Sequence, residues 1–295
     1  MRKLNRKMRQ SIAKKLVSFL VVAIFILPGL FTARWAIKAF ASGDSRDVVD
    51  VAVLQARDAD KNTTPLKPFE EPIISVTFDD GWETIYTAGL PIMQKYGIRS
   101  TQYVMSGVFE NTSYMSINQI KSMQTAGHEV GSHTIDHKDL TQLDETQLNK
   151  QLKESKDILT KNFGPIKDFT SPYGAYNAHT LETIGKYYRT QKNAEGDPAA
   201  NELEAINISA SFKPLNFVSY SVRETTTLYE ITKLIEAAKK HNGWLVLTYH
   251  QIDRSGDEFS VNPEEFESQM ALLFNTNVRS ATVGQVVDTW QKGNK

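Results

Sequence analysis

The sequence predicts an α/β fold, a barrel of βα units, with one apolar helix ahead of it. Three observations carry this expectation. From Glu71 onward, strand-like and helix-like segments alternate along the chain, and repeated βα units imply a parallel sheet. About seven such units in about 220 residues suit a barrel better than an open sheet. The stretch "ISVTFDDGW", Ile74 to Trp82, runs strand-forming residues into two carboxylates and a glycine, which end the strand. Chemistry in α/β folds is built at that end of a strand.

The elements follow in order. "IISVTF" reads as a strand, and Thr84 to Tyr96 as a helix stopped at Gly97. "STQYVM" is a second strand. Ser116 and Gln119 form a capping box for a helix that ends near Gly127. "HEVGSH" is a third, short strand. Asp144 with Gln147 opens a helix closed by Gly164, "KDFTSPYG" is a strand entering a turn, and Asn177 to Tyr188 is helical. Leu228, Ile231, Leu234, Ile235 and Ala238 make an apolar helical stripe. "WLVLTYH" is a continuous strand ending in His250, Asn262-Pro263 opens another helix, and "VRSATV" precedes a last helix to Trp290.

The N-terminal region is different. Residues 1–15 carry seven basic residues and no acid, and Leu16 to Ala33 carry no charge. A basic start before an apolar run is an export signal. Eighteen residues are long for a signal-peptide core and just enough to span a bilayer. Residues 16–41 are therefore expected to be a membrane anchor, the alternative being a signal peptide cleaved after "AFA" at Ala39–Ala41. Residues 42–70 read as a linker, and 71–295 as one domain outside the cytoplasmic membrane, or secreted if the leader is cleaved.

Composition excludes several functions. There are 34 basic and 34 acidic residues, a balance without the basic footprint of a nucleic-acid protein. Cysteine is absent, so thiolate nucleophiles, thiolate metal sites and disulfides are excluded. Any metal must be held by His, Asp or Glu. Of six histidines, His128, His179 and His241 have ordinary structural explanations. "HTIDH" instead spaces His133 and His137 four apart after a short strand, which a helical turn would bring to one side. Two histidines with one carboxylate are a known catalytic zinc set, and "FDDG" offers Asp79 and Asp80.

Together these motifs resemble the polysaccharide deacetylase family with the NodB homology domain, carbohydrate esterase family 4. "TFDDG" at Thr77–Gly81, "HTIDH" at His133–His137, "SPYG" at Ser171–Gly174 and "LVLTYH" at Leu245–His250 are similar to its motifs in order and spacing. The resemblance implies a distorted (β/α)7-type barrel and a hydrolase that removes N-acetyl groups from an extracellular N-acetylhexosamine polysaccharide, an exopolysaccharide such as poly-N-acetylglucosamine or else peptidoglycan. It implies Asp80, His133 and His137 as ligands of a divalent metal, with zinc as the default and cobalt or nickel suiting the same donors. It further implies Asp79 as general base, His250 as general acid and the Tyr173 N–H as an oxyanion donor. The expected partners are the acetylated polysaccharide and, through the N-terminal helix, the membrane, with the chain acting as a monomer. An O-acetyl esterase of xylan type and a carbohydrate-binding pseudoenzyme are the alternatives.

The sequence also departs from the family. Thr170 stands where the third motif commonly has an Arg that braces the base. "FVSYSV" lacks the usual Asp and Trp of the fourth motif, and Thr248 replaces a Leu. The missing Arg matches the branch of the family that acts on biofilm exopolysaccharide. Arg223, just after "SYSV", is the expected substitute cation, and Trp82 is a candidate for lining the substrate groove.

Overall fold

A computed structural model describes residues 64–293 apart from 195 and 197–200. The basic tail, the apolar segment and most of the linker lie outside these residues. Among the described residues no helix is long and apolar enough to cross a membrane.

Strands β1 (Ile73–Phe78), β2 (Ser100–Val104), β3 (Glu129–Ser132), β4 (Asp168–Thr170) and β5 (Thr190–Lys192) pair in parallel in the order β5-β4-β3-β2-β1. The short β6 (Ile206–Asn207) runs antiparallel to β8 (Trp244–Tyr249), which lies in parallel on the other side of β1. The two-residue β7 (Tyr220–Ser221) also pairs with β8. A single parallel bridge, Lys192 to Phe217, joins the β5 edge to the segment leading into β7. The result is a rolled α/β half-barrel with a thin seam, not a regular ring. The reason is strand length: β4, β5 and β7 have two or three residues each, too few for continuous ladders.

The helices cover the outside. A π turn (Ile85–Gly89) leads into α1 (Leu90–Lys95), followed by α2 (Ile117–Thr125), α3 (Glu145–Phe163), α4 (Ala178–Tyr187) and α5 (Leu228–His241). Two-residue strands β9 (Gln251–Ile252) and β10 (Ser260–Val261) precede α6 (Pro263–Asn275), β11 (Arg279–Ser280) and α7 (Val283–Gly293). The capping chemistry read from sequence is present. Ser116 and Gln119 exchange their capping-box bonds, Asp144 accepts from the Gln147 N–H at 2.8 Å, and Asn262 caps α6. Residues 64–70 were expected in the linker. Instead Leu66 and Phe69 pack on the cluster of Trp244, Phe217 and Val286, and Arg279 donates to the carbonyls of Thr64 and Pro65.

Side chains alternate across each strand, and this alternation sorts the core. Ile74, Val76, Phe78, Leu245, Leu247 and Tyr249 face the helices. The opposite face turns Ser75, Thr77, Tyr103, Glu129, Asp168, Thr170, Lys192 and Thr248 inward. These residues are joined by contacts such as Thr77 to Thr248, Thr101 to Glu129 and Lys192 to Thr248. The barrel interior is therefore largely a hydrogen-bonded polar column. Gly131 lets Tyr103 cross it, since a Cβ there would sit 2.5 Å from the Tyr103 ring.

At the N-terminal end of the strands Asp168 takes two bonds from Arg189, which also pairs with Asp288. Glu129 beside them accepts from the Gly284 N–H and from Thr101, each at 2.8 Å. Burial, together with the charge of Asp168, pushes the Glu129 carboxyl up to about 7. The folded state then binds a proton that the unfolded chain has released, so this group's contribution to stability is lost as pH rises from its ordinary 4.5 through about 7. Its neighbour His128, buried against Ser100, acts in the opposite sense. Burial holds it down at about 4, and its contribution is lost as pH falls below its ordinary 6.5. A Glu129→Gln variant isolates the first effect. Thermal melts of parent and variant from pH 5 to 8 should show the parent's Tm falling relative to the variant's as pH rises; a constant difference would exclude the buried proton.

Candidate active site

The first strand ends in an abrupt turn. Asp80 and Gly81 both adopt positive φ, +69° and +87°. The turn separates two adjacent carboxylates. Asp79 stays inside, 6% exposed, with its N–H on the Tyr249 carbonyl. Asp80 swings toward β3, where the Nε2 atoms of His133 and His137 each stand 3.4 Å from its Oδ1. Two donors about 2.0 Å from a tetrahedral ion stand about 3.3 Å apart, so this spacing suits a shared cation.

The second motif does not form the expected helical turn. Thr134 and His137 take positive φ, +68° and +62°, and the loop is shaped by side chains from outside it. Gln151 of α3 accepts from the Ile135 N–H at 3.0 Å and donates to Asp136 at 2.7 Å, and Ser155 donates to the Thr134 carbonyl. The His137 N–H donates to the Thr134 hydroxyl. The two imidazoles meet with centroids 4.8 Å apart. Nothing in the spacing of "HTIDH" names Gln151 or Ser155, which act through tertiary contact alone.

The donor set fits a metal. Asp80, His133 and His137 each bring one ligand atom within 4.8 Å of the others. The Nδ1–H of His133 donates to the Thr170 carbonyl at 2.9 Å, which leaves Nε2 free to ligate. Burial would raise the Asp80 carboxyl, but the hydrogen bond from His133 and the nearby imidazoles hold it well below the usual range, so it is ionised. Burial pushes His137 down; it lowers His133 as well, but the hydrogen bond to Asp80 and the charges of Asp79 and Asp80 raise that ring on balance. The other oxygen of Asp80 accepts from the Trp82 indole N–H at 2.9 Å. Trp82 is stacked on Tyr114 and half-buried, so its indole orients the Asp80 carboxylate.

The remaining candidates lie around this triad. Tyr173 adopts φ +60° in the first turn of the short helical segment Pro172–Gly174, where backbone N–H groups lack intrahelical partners. Its ring stands 71% exposed, edge-on to His137 at 4.5 Å. The ring of His250 lies against Phe259 at 4.9 Å, and its buried Nδ1 has no protein partner. Burial lowers its pKa, against the charges of Asp79 and Asp80.

The structure places Arg223 elsewhere than expected. It pairs with Glu258 at the surface and covers the Phe259 ring, so it reaches His250 only through that ring and does not touch Asp79. The cation beside Asp79 is Lys192, fully buried, with Nζ 3.0 Å from Oδ2. Sequence reading passed over Lys192. Its only signal was position, two residues past Thr190 on a short strand that follows the third motif.

The polysaccharide deacetylase family profile matches residues 66–190. That match covers less than half of this chain and marks its first part as similar to polysaccharide deacetylases. A putative polysaccharide deacetylase, YxkH of Bacillus subtilis, is 30% identical over 134 residues, 45% of this chain and 48% of its own length. The poly-beta-1,6-N-acetyl-D-glucosamine N-deacetylase of Staphylococcus aureus is 32% identical over 133 residues, 40% of this chain and 46% of its own length. The match thus spans about half the length of these curated relatives. Among solved structures, the Xyl-CE4 domain of a multidomain xylanase from the hindgut metagenome of Trinervitermes trinervoides aligns with a TM-score of 0.52 at 17% identity, covering 76% of this chain and 92% of that domain. That likeness shows that the described residues share the fold of that domain.

If the triad is a metal centre, chelator competition on the purified protein should show one zinc ion per chain. His133→Ala should lower zinc affinity by more than about 100-fold. Trp82→Phe removes only a bond to a ligand and should lower it about 10- to 100-fold. Equal affinity in all three proteins would rule the centre out.

Proposed function

We propose that the chain is a metal-dependent N-deacetylase of an extracellular N-acetylhexosamine polysaccharide. The observation that supports this most is the convergence of a His/His/Asp donor set with two unpartnered polar atoms, Asp79 Oδ1 and His250 Nδ1. A divalent cation held by Asp80, His133 and His137 supplies Lewis acidity and brings the pKa of water from about 15.7 toward about 7. Asp79 Oδ1, buried and without a protein partner, is the base that accepts the proton of the attacking water. The Tyr173 N–H stabilises the oxygen that becomes negative as the acetyl carbon turns tetrahedral. His250 then gives a proton to the leaving amine nitrogen. Tyr173 stands out at the rim, where a sugar ring can lie against it.

The substrate class rests on kinship and chemistry. One relative is a poly-beta-1,6-N-acetyl-D-glucosamine N-deacetylase, and the third motif here lacks an Arg, as in the exopolysaccharide branch. Zinc is the metal that best suits two imidazoles and a carboxylate. The basic N-terminus and apolar run support a domain outside the cytoplasmic membrane, anchored by residues 16–41 or released by signal cleavage. A second reading, an O-acetyl esterase, has one observation in its favour. Burial lowers the His250 pKa against the charges of Asp79 and Asp80, and an alkoxide leaves with less help from an acid than an amine does.

The test is acetate release from N-acetylated glucosamine oligomers and from O-acetylated xylan oligomers. Release from the former should stop on chelation and return with zinc. Asp79→Asn should lower kcat by about 10²- to 10⁴-fold while zinc binding persists. Faster turnover of the O-acetyl substrate would select the esterase reading, and binding without any release would leave a carbohydrate-binding pseudoenzyme.

A further inference from the structure

The environment of Lys192 goes beyond what the proposed reaction requires of the residues already placed. Its ammonium is fully buried, with two hydrogen-bond acceptors and one aromatic ring beside it. Asp79 Oδ2 and Thr248 Oγ1 each lie 3.0 Å away, and the Tyr103 ring lies beneath it at 5.5 Å. Thr248 accepts from Lys192 and passes a bond to Ser219 Oγ at 3.0 Å. Ser219 in turn donates to the Asn193 carbonyl at 2.6 Å. Thr77 meets Thr248 at 2.9 Å from the other side. This chain of hydroxyls gives the ammonium one location. With one oxygen of Asp79 held there, the other, Oδ1, is buried without a protein partner, and the Asp79 charge acts on His133, His137 and His250.

Strand register explains how the cation arrives. Thr170 and Lys192 are direct partners in the β4–β5 ladder, so their side chains enter the interior side by side. The Thr170 hydroxyl bonds the Lys192 carbonyl at 3.2 Å. A cation missing at residue 170 is thus supplied from the adjacent strand at the same level. Two of the departures noted in the sequence, Thr170 and Thr248, touch Lys192. A leucine at 248 could not accept its second bond, and a buried charge left short of partners is strongly destabilising.

We infer that Lys192, with Thr248 as its second acceptor, is the positioning residue that orients Asp79 for proton abstraction, in place of an arginine on β4. This inference rests on the deacetylase reading. It assigns Lys192 no contact with substrate or metal. Its loss should therefore fall on kcat, with KM and zinc affinity retained.

The experiment compares parent, Lys192→Met, the double variant Thr170→Arg/Lys192→Met, and Arg223→Ala. Acetate release from N-acetylated glucosamine oligomers and zinc affinity by chelator competition are measured for each. Lys192→Met should lose about 10²- to 10³-fold in kcat, with KM and zinc affinity within about threefold of the parent. The double variant should regain at least about tenfold by returning a cation from the neighbouring strand. Arg223→Ala should match the parent. Because Lys192→Met leaves a lone buried carboxylate and can fail to fold, the double variant decides in that case. Folded, zinc-loaded and within about tenfold of the parent, it supports the inference; folded and zinc-loaded without turnover, it overturns it. A folded Lys192→Met with kcat within about threefold of an active parent overturns the inference alone. A parent that releases no acetate overturns the deacetylase reading and this inference with it.

Discussion

Strand alternation is the constraint on which this molecule depends. In a rolled sheet every second side chain points inward, and here most of those inward positions are polar. Ser75, Thr77 and Asp79 follow one another along β1 and its end, and Thr170, Lys192 and Thr248 join them from three other strands. A buried polar group must find a partner or it destabilises the fold. Most members of the column satisfy one another, although the Tyr103 hydroxyl has no partner. At its upper end, Asp79 Oδ1 is left without a partner, and that is where the donor triad lies.

The triad itself depends on backbone conformations that ordinary residues avoid. Asp80, Thr134, His137 and Tyr173 all adopt positive φ, a region where non-glycine residues are uncommon. Such conformations persist only where surrounding contacts impose them. The contacts are visible: Gln151 and Ser155 hold the His133–His137 loop, and the Thr170 carbonyl holds the His133 ring. The site is thus assembled by helix α3 and strand β4 as much as by its own motifs.

Much of this was legible in the chain. The capping residues Ser116, Asp144 and Asn262 stand at helix starts, because a side chain that satisfies free N–H groups acts over three residues and needs no distant partner. The strand "IISVTF" and the turn at "DDG" were equally local. Arg223 was misplaced for the opposite reason. Nearness in sequence to "SYSV" suggested nearness to Asp79, whereas the chain after β7 carries Arg223 out to Glu258 and Phe259. The regularity of the barrel was also beyond the sequence, since two- and three-residue strands at the seam leave no long apolar run to read.

By itself the sequence determined the alternation of strands and helices, the absence of thiol chemistry, and the identity of the residues able to hold a cation or move a proton. These follow from side-chain chemistry and short-range periodicity. Only the tertiary structure decided which cation stands beside Asp79. That choice depends on the register between β4 and β5 and on which face of each strand turns inward, and register is set by pairing between segments far apart in the chain. Lys192 looks like any lysine until the sheet rolls and buries it against a carboxylate 113 residues away.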